Sequence, residues 1–120
     1  MILCKGSVRV IQFTPALLHI LNDLDSFHRI RNDICPENLV ITSINDSKHS
    51  EHSKHYSNEA IDLRSKSFDS WKKSLFVVEF SKYINLNSTI PFTVLLENLG
   101  TENEHFHIQV KKGFTDAGKD

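Results

Sequence analysis

The sequence predicts a single small α+β domain, two helices packed on a mainly antiparallel sheet. Three observations carry this expectation. Thr14 and Pro15 open a segment in which Leu17, Ile20, Leu21, Leu24 and Phe27 recur at helical spacing. A second helical pattern runs from about Asp69 to Ile84. The remaining apolar segments are short and of strand character. With 120 residues, 39% of them hydrophobic and 24% charged, the chain is sized for one core, so residues 1–120 are expected to form one domain.

Taken in order, Val8 to Val10 read as a short first strand, and Thr14 caps the first helix. Pro36 blocks helical continuation, and Asn38 to Ser43, centred on Leu39, Val40 and Ile41, reads as a strand. The polar stretch Asn45 to Asn58 reads as a loop. Ala60 to Arg64 is a strand with Ile61 and Leu63 on one face and Ala60, Asp62 and Arg64 on the other. In the second helix Trp71, Leu75 and Val78, with Phe76, Phe80 and Tyr83, are all expected in the core. Phe92 to Glu97 and His105 to Val110 are strands joined by a loop containing Gly100. The last one alternates, with Phe106, Ile108 and Val110 inward and His105, His107 and Gln109 on the opposite face.

Composition narrows the function. Lys plus Arg number 14 against 15 for Asp plus Glu, a net charge of -1, which gives no broad positive field for a nucleic acid. No apolar run approaches the roughly 20 residues of a membrane span. Lys5 and Arg9 interrupt the apolar N-terminal residues, so no secretory signal is read and a cytoplasmic monomer is expected. Cys4 and Cys35 form no Cys-x-x-Cys pair and read as buried thiols. A metal would therefore be held by His and carboxylates, a ligand set typical of catalytic zinc.

Seven histidines are present, and none is followed directly by Glu, so the His-Glu-x-x-His helix of the zincins is absent. A strand-and-loop site remains. His55 lies seven residues before Asp62, and His107 shares with Asp62 a place on a strand face turned from the core. Two imidazoles and one carboxylate leave a fourth tetrahedral position for water. On the residues alone, an Asp62 that pairs with Arg64 or accepts backbone hydrogen bonds is the preferred reading, and His105 and His107 could line an exposed strand face. His19, His28 and His52 are given no role, and His49 reads as an ordinary surface residue.

Ser53-Lys54-His55-Tyr56-Ser57-Asn58-Glu59-Ala60-Ile61-Asp62 resembles the Ser-x-His-x-x-Gly-x-Ala-x-Asp motif of the zinc D-Ala-D-Ala carboxypeptidase and L-alanyl-D-glutamate endopeptidase family, matching four of its five fixed positions. Glu104-His105-Phe106-His107 resembles that family's Glu-x-x-His element. The motifs lie in the family's order, and the similarity to small phage-type members covers roughly residues 39–111, including Val40-Ile41-Thr42-Ser43 and Leu95-Leu96-Glu97. The resemblance implies a hedgehog or DD-peptidase-like fold with zinc on His55, Asp62 and His107. It implies Glu104 as the general base and a peptidoglycan peptide as substrate. His105 is expected to contact substrate or the oxyanion. Asn58 stands where the family has Gly, and Asn tolerates the positive φ such a position needs. Ile44 is a second departure, at a position where phage-type members tend to have Gly. The family's transition-state cation is not assigned by motif, and Lys48 and His49 are its candidates.

A non-catalytic zinc-binding module and a structural module of the same fold are the alternatives to a peptidase. A base three residues before the last ligand favours the enzyme. An enzyme of this kind without a signal peptide would reach the wall through a pore or in a phage particle.

Overall fold

A computed structural model of the chain describes residues 1–8, 14–44 and 60–111. Its elements are β1 (Ile2–Cys4), α1 (Pro15–Ile30), β2 (Leu39–Ile44), β3 (Ala60–Arg64), α2 (Ser70–Leu86), β4 (Phe92–Glu97) and β5 (His105–Val110). The strands form one sheet in the order β1-β2-β3-β5-β4. β1 runs parallel to β2, and the other three pairings are antiparallel. The α+β class is thus as expected, and β3, β4 and β5 fall on the segments expected of them.

The first strand differs. It lies at Ile2–Cys4, where Ile2 and Cys4 pair with Leu39 and Ile41, and it ends in a turn closed by Val8 N donating to Lys5 O at 3.0 Å. Val8 lies outside any strand, and Val10 lies outside the described residues. The parallel pairing with β2 selects the earlier segment, a long-range contact that no local pattern encodes.

Thr14 caps α1 as expected, its Oγ1 accepting from Leu17 N at 3.0 Å. Leu17, Ile20, Leu24 and Phe27 are buried. In α2 the buried row is Phe76, Phe80 and Ile84, spaced by four, while Trp71 is 68% exposed and Val78 50% exposed. Expecting both apolar rows of α2 in the core is therefore incorrect. At 100° per residue Trp71 and Val78 lie on the side of the helix opposite the Phe76–Phe80–Ile84 row, so one sheet cannot cover both. Trp71 instead lies beside Lys72, whose Nζ is 5.3 Å from the ring centre.

Phe76 sits at the centre of the core, with Phe27, Phe68, Phe80 and Phe106 at ring-centre distances of 4.7 to 5.7 Å. The sheet supplies Leu39, Ile41, Ile61, Leu63, Phe106 and Ile108, all buried, to this layer. The side chains alternating with them, from Thr42 through Asp62 and Arg64 to His105 and His107, are only partly covered, so the helices leave that face of the sheet open. Cys35 is buried as expected and its thiol is pushed up to about 12, mainly by burial, whereas Cys4 is exposed.

A β-bulge interrupts β2. Ile41 pairs with Leu63 and Ser43 with Asp62, so the register shifts at Thr42. The shift turns Ile44 into the core opposite Ile61, where it is 3% exposed. Ile44 is thus a packing residue rather than part of a substrate path. Among the described residues no helix is long and apolar enough to cross a membrane.

Candidate metal centre

Three side chains meet on the open sheet face. Asp62 of β3 pairs in register with His107 of β5, and His105 follows two residues earlier on the same face of β5. The ligating atoms of Asp62, His105 and His107 all lie within 4.8 Å of one another. No other group of three His, Cys, Asp or Glu residues does so among the described residues. Strand alternation is the cause: Ile61, Leu63, Phe106 and Ile108 are held in the core, which forces their neighbours to the opposite face.

Hydrogen bonds orient each ring. His107 Nδ1 lies 2.6 Å from Asp62 Oδ1, and its Nε2 lies 2.6 Å from Gln109 Oε1. The bond to Asp62 raises the His107 pKa above its ordinary value; burial opposes the rise, and Gln109 reinforces it. His105 Nδ1 lies 2.6 Å from Asn103 O, a carbonyl that can only accept, so this nitrogen carries the proton. Its Nε2 lies 3.1 Å from Glu97 Oε1, a carboxylate oxygen that can only accept, and 3.7 Å from Asp62 Oδ1. The backbone anchor at Nδ1 fixes the ring, and a cation bound at Nε2 would replace the hydrogen that now bridges to Glu97.

The donor set fits zinc. Donors at about 2.0–2.2 Å from one ion stand roughly 3.4 Å apart in a tetrahedron, so Asp62 and His107 need to part by less than about 1 Å. In the structure the two are joined by their 2.6 Å hydrogen bond, which a bound ion would replace. His105, expected to contact substrate, stands here as a third donor. His55 lies outside the described residues, as do Lys48, His49 and Asn58.

Glu104 does not join this group. It is 9% exposed, and its carboxylate accepts from Ser65 Oγ at 2.6 Å, Lys73 Nζ at 2.6 Å and Gly100 N at 3.0 Å. The Lys73 ammonium, then the Ser65 hydroxyl and the Gly100 amide, hold its carboxyl down at about 2. Such a carboxylate is a poor proton acceptor near neutral pH. It instead ties α2 and the residue after β3 to the β4–β5 loop. That loop needs left-handed backbone at Asn98 (φ 56) and Gly100 (φ 81).

Sequence reasoning assigned no role to Glu97. It pairs in register with His105 on the neighbouring strand, and its 41% exposed carboxylate lies beside the donor group. Its position was accessible from the alternation of Phe92, Val94 and Leu96, which turns Thr93, Leu95 and Glu97 outward. His19 and His28 are engaged elsewhere: His19 stacks on Phe92 and lies 3.0 Å from Ile84 O, and His28 lies 2.9 Å from Pro36 O. Comparison with protein-family models, with curated proteins and with solved structures finds no match to this chain.

Proposed function

We propose that the chain is a zinc-dependent hydrolase of D-amino-acid-containing peptide bonds in bacterial peptidoglycan, with the hedgehog or DD-peptidase-like fold that its motifs imply. The observation that carries this reading is the facing of Asp62 and His107 across β3 and β5. The two motifs are far apart in sequence, yet the residues that the resemblance makes ligands stand 2.6 Å apart.

Zn2+ bound at this site supplies a Lewis acid and a water acidified toward neutral pH. Asp62 and His107 are the fixed pair of protein ligands. The third is His55, as the resemblance implies, or His105, as the geometry supports. Asn103 O fixes the His105 ring through Nδ1–H, keeping Nε2 at the site. Glu97 Oε1, beside His105 Nε2, is the carboxylate placed to accept a proton, and Glu104 holds the adjoining loop in shape. The core behind β3 and β5 keeps the pair in register, which is the preorganisation a catalytic site needs.

The test is digestion of purified peptidoglycan by the full chain, with mass analysis of the fragments. Cleavage should stop with chelator and return when zinc is added back. A folded, zinc-loaded chain that cuts nothing would be the non-catalytic zinc module. A chain that takes up no zinc would leave only the structural alternative.

A further inference from the structure

The sheet ends on one side in β4, and among the described residues no strand lies beyond it. β4 pairs with β5 from Phe92 opposite Val110 to Glu97 opposite His105, and Lys111 N donates to Pro91 O at 2.9 Å in the same register. In an antiparallel ladder, alternate residues turn their backbone groups to the same neighbour. Pro91 through its C=O, and Thr93, Leu95 and Glu97 through both groups, therefore face β5. Phe92, Val94 and Leu96 turn theirs to the outer edge. Phe92 is already partnered there: Asn85 of α2 accepts from Phe92 N at 2.8 Å through Oδ1 and donates to Phe92 O at 3.2 Å through Nδ2, as a neighbouring strand would. Val94 and Leu96 have no such partner among the described residues.

This edge also lacks the usual defences. Exposed edges are blunted by shortness, lysine, proline or a bulge. β1, on the other side of the sheet, is only 3 residues long. β4 is 6 residues of regular strand, without lysine, proline or register shift, and its single charge is Glu97 at the end. Ser81 and Val77 precede Asn85 by one and two helical steps of four residues, so the flank that α2 turns toward this edge carries short side chains. A second helix can come close there.

We propose that β4 is the edge along which two copies of this chain pair, antiparallel about a two-fold axis through Leu95, joining their sheets into one. A single register uses both free residues of both chains: Val94 opposite Leu96 of the second copy, and Leu96 opposite its Val94, each pair exchanging two backbone bonds. Centring on Val94 would need Phe92, which Asn85 holds, and centring on Leu96 would need Asn98, whose backbone is left-handed (φ 56). The register also sets the side chains. Leu95, 43% exposed, meets Leu95 of the second copy, and Thr93 meets its Glu97, so no like charges face each other. A patch that matches itself is what a two-fold pair requires. The axis stands normal to the sheet, so both open faces look the same way. Leu95 pairs with His107 in β5, which puts the two Asp62–His107 pairs on one surface, their β5 strands about 14 Å apart at three strand spacings. The pairing itself depends on neither zinc nor hydrolysis, and it differs from the monomer expected from the sequence.

Sedimentation equilibrium of the full chain over a range of concentrations, with chelator present to prevent metal bridging, should give a mass that rises from one chain to two and stops. Leu95→Lys and Leu95→Glu should each weaken the association by roughly ten-fold or more, with the melting temperature of the dilute chain kept, and an equimolar mixture of the two should restore it. Thr93→Arg, placed opposite Glu97, should tighten it by roughly two- to five-fold. Leu95→Cys in a Cys4→Ser chain should give a disulfide-linked pair under mild oxidation, because opposed residues of this kind stand about 4.5 Å apart at Cα. Leu18→Cys, exposed on α1, is the control that should not. A single-chain mass at every concentration, or a mass that climbs past two, would overturn the proposal. A pair that both charged variants leave intact, a mixture of them that stays monomeric, or a Leu95→Cys chain that links no faster than the control would overturn it too.

Discussion

Asp62→Asn is expected to lower the proposed zinc-dependent hydrolysis by roughly a thousand-fold or more, because it removes the only carboxylate of the proposed ligand pair while keeping its shape. Asp62 is 28% exposed, so the neutral side chain should be accommodated, and the melting temperature of the metal-free protein should change little at alkaline pH, where His107 is neutral, and fall on the acid side. The same substitution acts on His107. In the metal-free chain the Asp62 bond raises the His107 pKa above 6.5, so this imidazolium–carboxylate pair contributes stability in full below about pH 6.5 and loses it as pH rises through the folded value. Zinc must displace that proton. Its affinity should therefore fall with acidification from a pH higher than an ordinary imidazole would give, with proton release on binding. In Asp62→Asn the release should move to lower pH, which calorimetry in buffers of different ionisation heat reads directly.

Glu104→Gln should lower the folding stability by about 2 kcal/mol, because the neutral amide weakens a buried bond to Lys73. A pure general base would instead leave the fold untouched. The pH dependence follows from the sign of the shift. With its carboxyl held at about 2 against an ordinary 4.5, Glu104 contributes stability in full above about pH 4.5 and loses it as pH falls toward 2. Melting temperatures of the natural protein and the variant should differ at neutral pH and converge across that acid window. Hydrolysis per folded, zinc-loaded molecule should stay within roughly ten-fold of the natural protein. A loss of orders of magnitude in a stable, zinc-bound variant would return the base role to Glu104.

Much of this fold is readable where one side chain pattern has one outcome. The alternation of Phe106, Ile108 and Val110 places His105 and His107 on the open face, and Thr14-Pro15 opens α1 at the expected residue. Asp62 and His107 are readable as partners through the two motifs. What escaped depends on partners remote in sequence. β1 is chosen by its parallel pairing with Leu39–Ile41, and the bulge at Thr42, which turns Ile44 inward, depends on the register with β3. Trp71 and Val78 carry the right hydrophobicity on a helix whose other side wins the sheet. The surroundings of Glu104 escaped because a carboxylate near a ligand motif looks the same whether it faces an ion or a lysine from another element. Lys73 decides that, 31 residues away. Strand alternation turns Glu97 outward, but its pairing with His105 depends on the β4–β5 register, which the loop around Asn98 and Gly100 sets.

Asp62 and His107 are proposed to hold one zinc ion from the neighbouring strands β3 and β5. The most direct test is a zinc-binding isotherm of the purified, chelator-stripped chain beside those of His107→Ala, His105→Ala and His55→Ala, each with a melting curve to show that it is folded. One zinc per natural chain is expected, with loss of that binding in His107→Ala and a comparable loss in whichever of His105→Ala and His55→Ala removes the third ligand. A folded natural chain that binds no zinc, or a His107→Ala variant that binds it as tightly as the natural protein, would contradict it.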